Sequence, residues 1–225
     1  FTALAEDLVA ETTGLVSHMG QARGRVADRP MWIDANIDSF QRLLRPLSRK
    51  LSTPDASLLK EFGSKASGAE MGLLLGWMSG RVLGQYDLLI IEDENPEDQD
   101  IVYYVGPNVL AIEKKYGFPP EEFRLWLALH ECTHRAQFTG IPWLRSHFLS
   151  LVNKTLESVD PDPEMFRDAA KKIIEARKSG EDLFEDGGLP TLFTSPEQRK
   201  ILNQISGMMS LLEGHGDVTM DRAGA

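Results

Sequence analysis

The sequence predicts an α+β fold that is predominantly α-helical, with a small β-sheet or hairpin. Three observations carry this reading. Most segments space their apolar residues three and four apart, which is the helical period. Only two short β-prone runs stand out, close together in the chain. One helical segment also carries His-Glu-x-x-His at 130–134.

The 225 residues, 42% hydrophobic and 26% charged, match an ordinary globular protein able to bury a core without disulfides. One domain over 1–225 is expected, with a helical and β part over about 1–117 and a motif-bearing part over about 118–225. The formal charge of -10 argues against nucleic acid and anionic membrane as partners, because both require a basic face. Cys132 is the single cysteine, which rules out an internal disulfide framework and fits a reducing compartment. With no run of eighteen apolar residues and no secretion signal in FTALAEDLVAETTG, the expected location is cytoplasmic. The chain lacks an initiator Met and stops at DRAGA in a helical stretch, so both ends read as incomplete.

Along the chain, 31–51 place Trp32, Ile37, Phe40, Leu43, Leu44 and Leu47 at helical spacing, with a kink or break expected near Pro46. In 55–84, Gly68, Gly72, Gly76, Gly80 and Gly84 recur every four residues, predicting a helix with a glycine stripe for close backbone packing. Glu70 and Arg81 cut its apolar stretch too short to span a bilayer. Leu88–Ile91 and Ile101–Val105 read as strands. The acidic stretch EDENPEDQD between them lacks the ligand spacing and glycine of a calcium loop and reads as a solvated turn. Helices are expected over Val109–Tyr116, Glu121–Phe138, 143–157, 163–179 and 196–212, with a loop or linker over 180–198.

Residues 130–134 read His-Glu-Cys-Thr-His. Two histidines four apart on a helix project from one face, so both imidazoles reach one metal ion. Glu131 sits beside that face, placed to accept a proton from water rather than to ligate. Zinc suits two imidazoles and a carboxylate, with a fourth position open for catalysis. Glu213 in LLEGHGDVTMD is the expected third ligand. Asp217, one turn on, would hydrogen-bond the outer nitrogen of a ligand histidine. His215 is the rival ligand and would point about 200° away from Glu213 on a regular helix. Gly214 and Gly216 weaken the case for regular helix there.

Simpler readings stand beside this one. His130 and His134 would then be polar members of a packed helix face, with Glu131 solvated. Glu131 and His134 also match a di-iron Glu-x-x-His motif, but none of His18, His147 or His215 follows a glutamate at that spacing. Cys132 reads as a buried filler. His147 reads as a surface or core histidine or as part of the cleft wall. Tyr103, Tyr104 and Arg222 read as packing or ion-pair residues or as oxyanion stabilisers.

The segments GAEMGLLLGWMSGRVLGQYDLLI, LALHECTHRAQFTGIPWLRSHF and SLLEGHGDVTMD together resemble a bacterial family of zincin-like metallopeptidases, often labelled as associated with deazaflavin coenzyme biosynthesis. The resemblance runs from about residue 20 to the end. It implies a mostly helical zincin-like fold with a small sheet and one zinc per chain. It carries over His130, Glu131 and His134 directly, with Glu213 as the downstream ligand. The expected activity is zinc-dependent hydrolysis of a peptide or amide bond, on a peptide or protein substrate, with one β-run offering its edge to an extended peptide. The alternative is a zincin-fold binding or scaffold protein without turnover. Oligomeric state is left open.

Overall fold

A computed structural model describes residues 1–51, 68, 71–89, 99–157 and 195–224, with the side chains of 42 and 44–51 left aside. Among these residues the order is α1 (Thr2–Thr13), β1 (Arg23–Ala27), α2 (Arg29–Leu51), α3 (71–79), β2 (Gly84–Tyr86), β3 (Ile101–Val105), α4 (Gly106–Tyr116), α5 (Pro120–Gly140), α6 (Leu144–Glu157) and α7 (Pro196–Ala223). The protein is α+β and predominantly helical, as the apolar spacing predicts.

The β-branched and aromatic run IVYYV forms the middle strand of the sheet, whose order is β1-β3-β2. β1 pairs with it in parallel, Arg23 opposite Ile101, and β2 antiparallel, Gly84 opposite Tyr104. Alternate β3 residues face opposite ways. Ile101, Tyr103 and Val105 pack with Ala27, Trp32 of α2 and Leu75 of α3, whereas Tyr104 packs against the cluster built on α1 and α5. That second cluster joins Ala5 and Val9 of α1 to Ala128, Leu129, Cys132 and Ala136 of α5, with Met220 of α7.

Eleven of the 21 residues of α5 are buried, and Glu131, Thr133, Arg135, Gln137 and Thr139 are among them. Polar groups survive burial only with partners. Thr133 and Thr139 donate to the carbonyls of Leu129 and Arg135 at 2.7 and 2.6 Å. Arg135, 1% exposed, donates to both Asp100 carboxylate oxygens at 3.0 and 2.7 Å, to Glu6 Oε1 at 2.6 Å and to the Gly20 carbonyl at 2.8 Å. Tyr86 adds its hydroxyl to Asp100 at 3.0 Å, and Glu6 accepts from the Ala22 N–H at 2.8 Å. This network ties α1, the chain before β1, the end of β2 and the entry to β3 to one helix. Asp100 sits at φ 54°, a backbone cost that its pairing with Arg135 offsets.

The chain divides into two compact units, Phe1–Arg145 with Leu212–Ala225, and Ser146–Leu211. In the second, Ser195 and Gln198 cap the start of α7 reciprocally. The Gln198 N–H donates to Ser195 Oγ at 3.1 Å, and the Ser195 N–H to Gln198 Oε1 at 2.6 Å. Among the described residues, no helix is long and apolar enough to cross a membrane.

Several expectations are corrected. α2 runs through Pro46 to Leu51 as one element, so the proline does not end it. Of the expected glycine-stripe helix, 55–67, 69 and 70 lie outside the described residues, and among the described residues nothing packs closely on the helical part of the stripe. A Cβ on Gly68, Gly72 or Gly76 would meet no neighbour among the described residues, Gly80 lies in a turn, and Gly84 belongs to β2. The helix ends early because Asn108 of α4 donates to the carbonyls of Ser79 and Val82, both at 2.7 Å, and captures the chain as it turns. The strand after it is therefore Gly84–Tyr86, and Leu88 and Leu89 are not in a strand. β1 was not foreseen, because RGRVA has little apolar alternation. α7 continues through Gly214 and Gly216 to Ala223. The expected helix over 163–179, most of the acidic turn, and most of the 180–198 loop lie outside the described residues.

Two predictions follow from these ion pairs. Arg135→Met leaves two carboxylates without their cation and should lower stability by about 3–5 kcal/mol in urea unfolding. A loss below about 1 kcal/mol would show that the network does not organise the fold. Glu113 accepts from Arg124 Nε and Nη2 at 2.7 and 2.8 Å, and these bonds hold its carboxyl below the usual 4.5. A lowered folded-state value adds stability above the ordinary glutamate range and loses it as pH falls through the lowered value. Because Arg124 is 41% exposed, the effect is small. Glu113→Gln should cost about 0.5 kcal/mol at pH 7 and nothing at strongly acid pH, measured as the difference between urea midpoints.

Candidate metal centre

His130 and His134 stand one turn apart on α5, their Nε2 atoms 3.2 Å apart and their rings edge to face at 4.6 Å. Glu213 of α7 brings its carboxylate to 3.9 Å from His130 Nε2 and 3.6 Å from His134 Nε2. The three ligand atoms lie within 4.8 Å of one another, the one such group of His, Cys, Asp or Glu among the described residues. Three residues named from the sequence are thus brought together across 83 positions, from His130 to Glu213.

Gln137, 1% exposed and three residues beyond His134, orders the site from behind. Its Oε1 lies 3.0 Å from His134 Nδ1. An amide oxygen only accepts, so His134 must carry a proton on Nδ1, which makes Nε2 the nitrogen with the lone pair in the neutral ring. The Gln137 amide nitrogen donates to the Leu212 carbonyl and to His215 Nδ1, both at 2.9 Å. His215 is therefore engaged by Gln137 and is not part of the converging group. Sequence reading missed Gln137, although its place one turn past the second histidine was a usable signal.

The outer nitrogen of His130 is different. His130 Nδ1 is buried without a hydrogen-bond partner, beside Gly216, where a Cβ would stand 4.0 Å away. The expected hydrogen bond from Asp217 to a ligand histidine is absent. The His134 position is taken by Gln137, and Asp217 is exposed and acts on His130 only through its charge. Burial and His134 hold the His130 imidazole below its usual value, against the pull of Glu213 and Asp217, so the ring favours its neutral form.

Glu131 is 5% exposed on the β2 side of the helix. Burial pushes its carboxyl up to about 8, the Tyr86 main-chain N–H pulls it back, and the Glu213 charge raises it further. Gly84 makes the seat. A Cβ there would fall 2.5 Å from Glu131 Oε1 and 2.9 Å from its Cδ. Only glycine allows this approach.

The other named residues are structural or peripheral. Cys132 faces α1, donates to the Thr2 carbonyl at 3.6 Å, and is pushed up to about 12 by burial, which leaves it an inert thiol. Tyr103 is in the core and Tyr104 pairs with the Thr2 hydroxyl at 3.1 Å. Arg222 is exposed in the last turn of α7, and His147 is exposed on α6 in the second unit.

The donor set, two imidazole nitrogens and a carboxylate, is one that zinc accepts. The Nδ1 proton on His134 directs the free lone pair of that ring at the gap between the three groups. The residues therefore fit the ion. Gly84→Ala should displace Glu131 and cost about 1–3 kcal/mol in thermal or urea unfolding, whereas Gly76→Ala, at a helix position with open space, should be neutral or stabilising. Equal effects would show that Glu131 is not seated against β2 as described.

A search of curated proteins finds no match. Among solved structures, the chain is similar to a crystal structure described as "a putative hydrolase with a novel fold" from Chloroflexus aurantiacus. Identity is 28% and the TM-score 0.54, over 99% of this chain and 70% of that one. The family model of zincin-like metallopeptidases matches residues 1–225. On that match, and with a helix bearing His-Glu-x-x-His at its centre, the chain belongs to the zincin-like metallopeptidase family.

Proposed function

We propose that the chain is a zinc-dependent peptidase in which His130, His134 and Glu213 hold one ion and Glu131 is the general base. The observation that carries this reading is the convergence of the three ligand atoms within 4.8 Å, next to a carboxyl pushed up to about 8. Bound there, zinc would supply Lewis acidity to the attacking water and to the scissile carbonyl.

Glu131 performs the proton chemistry. It takes one proton from the attacking water and delivers it to the departing amine nitrogen, so that water and an amide become a carboxylic acid and an amine, and transfer of the acid's proton to the amine leaves a carboxylate and an ammonium. Its buried seat against Gly84 and the Tyr86 N–H aims the carboxyl and keeps bulk water from competing. A zinc ion held beside it would favour the ionised, proton-accepting form. Gln137 keeps His134 in the ligating tautomer. Asp217 supports His130 through its charge.

β2 is at one end of the three-strand order, with Asp87 N–H bonded to the Ile101 carbonyl and the Leu83 carbonyl to Val105 N–H. Alternation then turns Gly84 and Tyr86 away from β3 and toward Glu131. A peptide laid along this edge would meet the Glu131 carboxyl.

Elemental analysis of protein prepared without chelators should find about one zinc per chain. Glu213→Ala should weaken zinc binding by more than about a hundredfold, and Gln137→Met by about ten- to a hundredfold. Glu131→Gln should keep the metal and lose at least about a hundredfold in digestion of a peptide library. A chain that takes up no zinc, or a Glu131→Gln variant as active as the parent, would sink the reading.

A further inference from the structure

Helix α5 carries a row of rings on the face that ends at the two histidines. Phe118, just before the helix, packs on Phe123 with centroids 5.1 Å apart. Phe123 stacks on Trp126 at 6.1 Å, and Trp126 on His130 at 6.4 Å with 17° between planes. The spacing is helical, since Phe123, Trp126, His130 and His134 recur at three or four residues.

This row is not core. Trp126 is 47% and Phe118 42% exposed, and with Phe123, Leu125 and Leu129 they line an open groove of about 530 Å³. Large apolar side chains exposed together mark a binding surface rather than an ordinary solvated one. Trp126, the most exposed ring of the groove, joins it to the candidate centre, because the same ring stacks on His130.

We propose that this groove is the specificity subsite of the hydrolytic centre and takes the aromatic or large aliphatic side chain of the peptide residue next to the cleaved bond. The inference rests on the function proposed above. A residue whose carbonyl lies at His130 and His134 can lay its side chain over Trp126 one ring away. Offset stacking and apolar burial reward a phenylalanine or leucine there. An acidic side chain is penalised twice, by desolvation on the rings and by the Glu122 carboxylate that lines the same groove.

The test is calorimetric titration of the zinc-loaded chain with the hydroxamates of N-acetyl-phenylalanine, N-acetyl-glycine and N-acetyl-aspartate. The chelating group is common to the three, so differences report the side chain. The phenylalanine compound should bind about ten- to a hundredfold more tightly than the glycine one, and the aspartate compound more weakly than either. Trp126→Ala should shrink the phenylalanine advantage to less than about threefold, and Trp126→Phe should keep most of it. Zinc content and circular dichroism check that the variants are folded. Equal affinities, or a preference that survives Trp126→Ala, overturn the subsite and leave the peptidase reading standing. Failure of the wild-type chain to take up zinc overturns that reading and the subsite with it.

Discussion

The structure depends on the burial of the polar side of α5, and above all on Arg135. A guanidinium 1% exposed is held only because Asp100, Glu6 and the Gly20 carbonyl meet its donors. Those partners come from α1, the chain before β1 and the entry to β3. Satisfying one buried cation therefore fixes where three other parts of the chain must be. The apolar contacts of Ala5, Val9, Ala128 and Cys132 close the same interface, but they specify position less sharply than charge-assisted hydrogen bonds do.

With α5 held in this way, its faces divide the work. Cys132 and Ala136 pack toward α1 and carry no chemistry. Glu131 turns to β2, where Gly84 leaves it room. His130 and His134 turn to α7, and Gln137 links that helix to theirs through the Leu212 carbonyl and His215. The proposed centre is thus held by the same interactions that hold the fold. The row of rings leading to His130 extends the helix face to a surface a peptide can touch.

Much of this was legible from the residues. Helical periodicity located α4, α5 and α6 to within a few positions, and His-Glu-x-x-His needs only helix geometry to bring two imidazoles together. Glu213 was also named from the residues, through its one-turn spacing to Asp217 in LLEGHGDVTMD and the resemblance of that segment, with His215 as its rival. The glycine stripe was a weaker guide, because spacing of four is the same signal whether the glycines pack, turn or, among the described residues, have no close neighbour. Gly84 mattered for a reason unrelated to its period. It admits the side chain of Glu131 from 47 residues away.

The sequence alone determined what is local: the α+β class, the helix that bears the motif, and the placing of His130 and His134 on one face of it. Local backbone preference and side-chain period suffice for those. Only the tertiary structure decided that α3 ends at Asn108's reach, that β1 joins the sheet, that Gln137 rather than Asp217 backs a histidine, and that His215 turns to Gln137 instead of the centre. Each of these rests on a hydrogen bond between residues distant in the chain. Such a bond forms only after the core has brought its two ends within about 3 Å of each other.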